Sequence, residues 1–321
     1  MMIISLVIII YILTLSIHMK ILYIENSNLS CNYYKDMIAT FKVKHEILCV
    51  NNVSVNNIHT FKPDIIIVGF GITDCGQNKP SLKINLSIDI PIYVILNKEY
   101  AGLKNKLDWI KSINPPVKRV FSVHHDVFKY HEYCNIPFTR IMWSADQRIF
   151  KKYDDEYKYD FFFSGVIREE QTDNLREKIY NKLNELSAFN LLVRVAFFKN
   201  NTLHGKLYTF ENNEYAKTIN HSKIVLTTTG PADLVGTRYF EIMASNKALI
   251  MCNRMPQKVY EDIVIDKTNC VMFDDENDFV NKCKYYLEHE EERMKIVNKA
   301  YENFLERHTW EHKVNNLISY L

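Results

Sequence analysis

From residue 20 onward, short uninterrupted apolar runs alternate with stretches whose apolar positions recur every three or four residues. A run such as Ile65-Ile66-Ile67-Val68 predicts a central parallel strand covered on both faces, because a half-exposed strand would alternate apolar with polar. The pattern predicts strands at 21–24, 46–50, 64–69, 92–96, 119–123 and 139–143. Helices are expected between them, at 33–44, 103–113 and 127–133. A polar stretch at 144–158, with Lys151-Lys152 and Asp154-Asp155-Glu156, interrupts the series. A second series opens with a strand at 160–165 and a helix at 174–186. Strands at 191–195, 223–227, 248–252 and 270–273 follow, and 278–321 reads as helical. Such alternation predicts the α/β class, with two doubly wound domains and a helical C-terminus. The expected division is an apolar segment 1–18, a first domain 19–143, a linker 144–158 and a second domain 159–321.

The N-terminus allows two readings. Residues 1–17 carry no charge and just reach the length of a membrane span. They lack the basic start and small-residue cleavage site of a signal peptide. Lys20 follows them, which by the positive-inside rule leaves the domains in the cytoplasm. Alternatively Met19 is the functional start, because 19–24 already reads as a first strand. Localisation is accordingly cytoplasmic, or membrane-anchored through 1–17 and facing the cytoplasm.

Composition narrows the function. With 321 residues there is room for two domains, and 24% charged residues beside 47% hydrophobic ones make a globular chain. A net charge of +2 argues against a nucleic-acid partner. Only 8 glycines leave little scope for a Gly-rich phosphate loop. Seven cysteines, an odd number with no C-x-x-C pair, point to a reducing compartment with neither a disulfide framework nor a zinc site.

The most informative stretch is Asp233-Leu-Val-Gly236-Thr237-Arg238-Tyr-Phe-Glu241. It reads as an acid on a loop, a turn glycine and a helix opening at Thr237, with a buried strand after it. The unpaired N–H groups and positive dipole end of such a helix suit a phosphate. Arg238 adds a fixed charge, and Asp233 and Glu241 can accept hydrogen bonds from hydroxyls. Together these describe a pocket for a sugar nucleotide.

The spacing resembles the E-x7-E signature of retaining GT-B glycosyltransferases, and Arg238-Tyr-Phe-Glu241-Ile-Met-Ala244 is similar to the R-x-F-E-x-x-A segment of CgeB-like members. The resemblance implies a GT-B fold of two Rossmann-like domains and a metal-independent, retaining transfer of sugar from a nucleotide-sugar donor, with no further cofactor. It implies that Glu241 holds the donor ribose and Asp233 faces the donor sugar. It also implies a last helix that crosses back onto the first domain. Two positions depart from the pattern. The first acid is Asp, one methylene shorter than Glu, and Ser245-Asn246 replaces the small-residue-Gly pair after the helix, where Asn tolerates a left-handed cap.

Other residues are candidates by position. Gly165 and Arg168 end the first strand of the second series, where ligands bind in open α/β sheets, and suit the diphosphate. Arg194 inside an apolar strand needs an acid partner if buried. Glu99 closes the strand at 92–96 and could serve acceptor binding or proton transfer. His124, in His124-His125-Asp126, is the other candidate for that role. Metal binding there is disfavoured because adjacent strand residues point to opposite faces. No D-x-D occurs, which argues against metal-dependent GT-A enzymes. A glycan, protein or lipid acceptor remains open. The alternatives are a sugar-nucleotide epimerase of the same architecture and a non-catalytic two-domain sugar- or nucleotide-binding protein.

Overall fold

The computed structural model describes residues 18–26, 32–99, 101–168, 174–200, 202–208, 210 and 213–321. The apolar segment 1–17, and with it the expected membrane anchor, lies outside the described residues. Among the described residues no helix is long and apolar enough to cross a membrane. The chain forms two compact units, one of Met1–Met142 with Val314–Leu321 and one of Trp143–Lys313.

In the first unit a six-stranded parallel sheet has the order β2-β1-β3-β4-β5-β6. Its strands are β1 (Lys20–Ile24), β2 (Glu46–Val50), β3 (Ile65–Val68), β4 (Ile92–Leu96), β5 (Val117–Ser122) and β6 (Phe138–Arg140). Every residue of β3 and β4 is buried, as continuous apolar runs require when helices cover both faces. Each such side chain contributes about 1.5–3 kcal/mol by leaving water. The helices are α1 (Asn32–Lys44), α2 (Val55–Phe61), α3 (Phe70–Thr73), α4 (Leu103–Lys111) and α5 (His131–Cys134). The helix expected at 127–133 is instead a 3-10 turn, Val127–Tyr130, followed by the single turn of α5. Val314–Leu321 belongs to this unit. Tyr93 Oη donates to the Leu321 carbonyl at 2.9 Å, and the Arg119 guanidinium lies 5.1 Å from the Tyr320 ring centre.

The second unit has the order β12-β11-β10-β7-β8-β9. Its strands are β7 (Tyr159–Arg168), β8 (Leu191–Lys199), β9 (Thr202–His204), β10 (Ser222–Thr227), β11 (Leu249–Asn253) and β12 (Val271–Phe273). All pairs are parallel except β8 with β9, an edge hairpin that no apolar run announced. Its three residues are all exposed, so hydrophobic patterning carries no signal there. The helices are α6 (Leu175–Lys182), α7 (Glu214–Asn220), α8 (Thr237–Ser245), α9 (Gln257–Tyr260), α10 (Glu276–Glu288) and α11 (Glu290–Asn303), with a π-turn at Phe304–His308. The last helix, α12 (Trp310–Ile318), starts in this unit and runs into the Val314–Leu321 segment of the first. Helix α8 ends on Asn246 at φ 48°, the left-handed cap that Asn supplies in place of glycine.

Candidate functional site

Strand β7 ends beyond Gly165, whose φ of +152° lies where side chains are rarely accommodated. The peptide carbonyls on either side of it are held by two arginines. Arg238 Nη1 donates to the Ser164 carbonyl at 2.8 Å, and Arg176 Nη1 donates to the Val166 carbonyl at 3.0 Å. Arg176 also donates from Nε to Thr228 Oγ1 at 2.6 Å, just past the end of β10. A methyl on Gly165 would sit 3.5 Å from Arg176 Nη1 and 3.7 Å from Arg238 Nη1.

The electrostatics follow from burial. Desolvation, with the Arg238 charge added to it, brings the Arg176 guanidinium down to about 10. Burial pulls Arg238 the same way, but the Tyr215 hydroxyl and Glu241 beside it hold it above its ordinary value. The Tyr215 ring lies 5.8 Å from that guanidinium, and its buried hydroxyl is pushed up to about 12. Burial also raises the Glu241 carboxyl, against the pull of Arg238 and a hydrogen bond with Thr237. Glu241 stands four residues after Thr237 and three after Arg238, so it can meet each of them along the surface of α8.

The loop before α8 is held from behind. Asn253, at the end of β11, accepts the Thr229 N–H on Oδ1 at 3.0 Å. Its carbonyl takes the Tyr260 hydroxyl at 2.6 Å, and Tyr260 Oη lies 3.2 Å from Tyr239 Oη. Gly230 N donates to the Leu234 carbonyl at 2.7 Å, closing a turn with Ala232 and Asp233 both at φ 57°. Gly236 then enters α8 extended, with no side chain capping the first-turn N–H groups. Asp233 is exposed, and no hydrogen bond or ion pair joins it to Arg238 or Glu241 among the described residues.

Of the second-unit candidates, Gly165, Arg238 and Glu241 come together, with Gly236 and Thr237 at the head of the same helix. Arg168 is turned to another neighbour, its guanidinium 5.0 Å from the Phe198 ring centre. Arg176 stands at Gly165 although the sequence reading passed over it. The signal was faint, a basic residue at the start of the helix after the first strand. Arg194 has its acid, Glu214, at 2.8 Å.

In the first unit, Glu99 and His124 meet at Ser122. The Ser122 hydroxyl donates to Glu99 Oε1, and its oxygen accepts the backbone N–H of His124 at 3.1 Å. Burial raises the Glu99 carboxyl, against the Ser122 hydrogen bond. His124 Nδ1 accepts the Asp126 N–H at 3.1 Å, which leaves the proton of the neutral ring on Nε2. His124 and His125 do not point apart. They lie past the end of β5 on a turn, where strand alternation no longer applies, and their rings stack at 4.4 Å. Glu25, after β1, is a further buried acid. Burial lifts it to about 7, against hydrogen bonds from the Asn26 and Gly71 backbones. Gly69 makes room for it, since a Cβ there would strike Glu25 Oε2 and the Tyr23 hydroxyl.

Residues 176–319 match the family described as Glycosyl transferase-like. No curated protein matches the chain significantly. Among solved structures, Anabaena HepE in complex with UDP-glucose superposes with a TM-score of 0.59 at 11% identity, over 95% of this chain and 100% of that one. A glycosyltransferase from Rickettsia africae gives 0.59 at 11% identity, over 95% and 98%. Sucrose-phosphate synthase from Thermosynechococcus elongatus gives 0.51 at 10% identity, over 82% and 74%. The segment 176–319 is thus similar to the glycosyl transferase-like family, and the two units share the fold of these solved structures.

Proposed function

We propose that the chain moves a sugar from a nucleotide-sugar donor, held by the second unit, to an acceptor held by the first, with retention and without a metal ion. The observation that carries this reading is the pair Arg176 and Arg238 at Gly165. Two partly buried like charges stand there, with one carboxylate, Glu241, beside Arg238. A diphosphate supplies the missing negative charge, and the bare glycine lets it approach the backbone. The uncapped N–H groups of α8 add donors and a positive dipole end. When the donor bond breaks, charge grows on the diphosphate, and donors already fixed in place stabilise it.

In this reading Glu241 accepts the ribose hydroxyls, and Asp233 reaches the donor sugar from its exposed loop. Arg176 serves the diphosphate beside Arg238, ahead of Arg168. Glu99, bonded to the Ser122 hydroxyl, and His124, whose backbone is held by the same oxygen, handle the acceptor hydroxyl. The likeness to HepE, seen with UDP-glucose and with UDP, supports a UDP-sugar as donor class.

The test is a thermal-shift series with UDP, GDP, UDP-glucose and uridine, because a ligand that binds only the folded state raises the melting temperature by mass action. The diphosphates and the UDP-sugar should raise it and uridine should not. Equal shifts from UDP and uridine would sink the diphosphate assignment.

A further inference from the structure

At the carboxyl ends of β1, β2 and β3 the first unit opens a pocket of about 720 Å³, within the range of about 300–1,000 Å³ usual for ligand sites. Strand β2 lies to one side of β1 and β3 to the other, so this is the switch point at which open α/β sheets bind ligands. One wall, residues 75–83, is fixed by helix α4. Asn105 Nδ2 donates to the Gln77 carbonyl at 2.6 Å, and Trp109 Nε1 donates to the Leu82 carbonyl at 2.7 Å. Cys75 Sγ lies 3.0 Å from the Asn78 carbonyl. A wall held this way needs no ordering when ligand arrives.

The lining is made for hydroxyl groups. Asn26, Asn51, Asn52 and Asn78 bring carboxamides from three different loops, each able to donate and accept, which suits vicinal diols. No aromatic side chain lines the pocket among the described residues, so it offers no bed for a lipid or aryl group. Charge adds a second requirement. Asp74 is paired with Lys98, whereas Lys79 and Lys83 have no ion pair among the described residues. The pocket therefore keeps a surplus of positive charge.

We propose that this pocket takes the acceptor, and that the acceptor is an anionic carbohydrate, bearing a carboxylate or a phosphate among its hydroxyls. The proposal rests on the glycosyl-transfer reading above. The experiment is calorimetric titration of the full chain with trigalacturonate, with glucose 6-phosphate and with uncharged maltotriose, and with UDP in parallel. At least one anionic sugar should bind about tenfold or more tighter than maltotriose, and should weaken as salt shortens the reach of exposed charges. Lys79→Ala/Lys83→Ala should lose that preference, Lys79→Arg/Lys83→Arg should keep it, and UDP binding should be the same in both. The proposal is overturned if maltotriose binds as well as the anionic sugars, if no sugar binds, or if the alanine pair changes nothing. Failure of UDP alone, with the sugar preference intact, would overturn the donor reading and leave the pocket assignment standing.

Discussion

Arg176 and Arg238 grip the two peptide carbonyls that flank Gly165, one from the start of α6 and one from the start of α8. Two helices, 62 positions apart at these residues, thus deliver like charges to one glycine (238 − 176). Neither guanidinium spends all of its five N–H donors in these bonds.

Arg176→Ala should weaken UDP binding by about 1.5–3 kcal/mol, the worth of a hydrogen bond to a charged group. Arg238→Lys should also weaken it, because an ammonium cannot reproduce the planar fork. Calorimetry with UDP and uridine tests both. A variant that loses the two ligands equally assigns its arginine to the fold and not to the diphosphate.

Gly165→Ala has room for its methyl but not the backbone freedom, since φ is +152°. Strain of about 1–3 kcal/mol should appear as lower stability to denaturant. UDP affinity should fall as well, because the methyl stands between the two guanidinium groups. Unchanged affinity in a folded variant would show that no ligand comes close to this peptide.

Glu241→Ala should lower affinity for UDP by about 1.5–3 kcal/mol. Thymidine diphosphate, which lacks the 2′-hydroxyl, should lose less than UDP if the carboxylate grips the ribose through that oxygen. Equal losses would place Glu241 elsewhere on the nucleotide.

Glu25 predicts a pH signature of stability. Its folded-state value of about 7 lies above the ordinary 4.5. Below the ordinary value both states are protonated and the residue costs nothing. As pH rises, the unfolded chain ionises first and stability declines until the folded value is passed. The full shift corresponds to about 3 kcal/mol, an upper figure for a group that is not completely buried. Glu25→Gln should flatten this decline, so the variant gains on the parent between pH 5 and 7.5, approximate limits set by those two values. Urea unfolding at a series of pH values checks it, and parallel curves for the two proteins would refute it.

A chain beginning at Met19 should fold and bind UDP as the longer one does. The first strand is already anchored there, with Glu46 N donating to the Met19 carbonyl at 3.0 Å and Lys20–Ile24 paired to β2 and β3. Far-UV circular dichroism and UDP titration measure this. An unfolded product would show that earlier residues complete the core.

The strands could be read from the apolar pattern alone, because a parallel strand covered on both faces must be apolar at every position. Ile65–Val68 and Ile92–Leu96 could hardly be anything else. The head of α8 could be read as well, where a turn glycine, a basic residue and an acid lie within six positions and the chemistry is local. Short polar elements such as Thr202–His204 gave no such signal, since they bury nothing. Which basic residue stands at Gly165 depends on how distant segments pack. Arg168 is nearer in sequence, but strand pairing sets it opposite Phe198, and the turn into α6 brings Arg176 instead. The same holds for Glu25, an ordinary acid after a strand until the bare Gly69, just past β3, leaves it room to pack and burial takes away much of its water. Burial and electrostatic coupling depend on distances between segments far apart in the chain, and a linear pattern of apolar positions does not contain those distances.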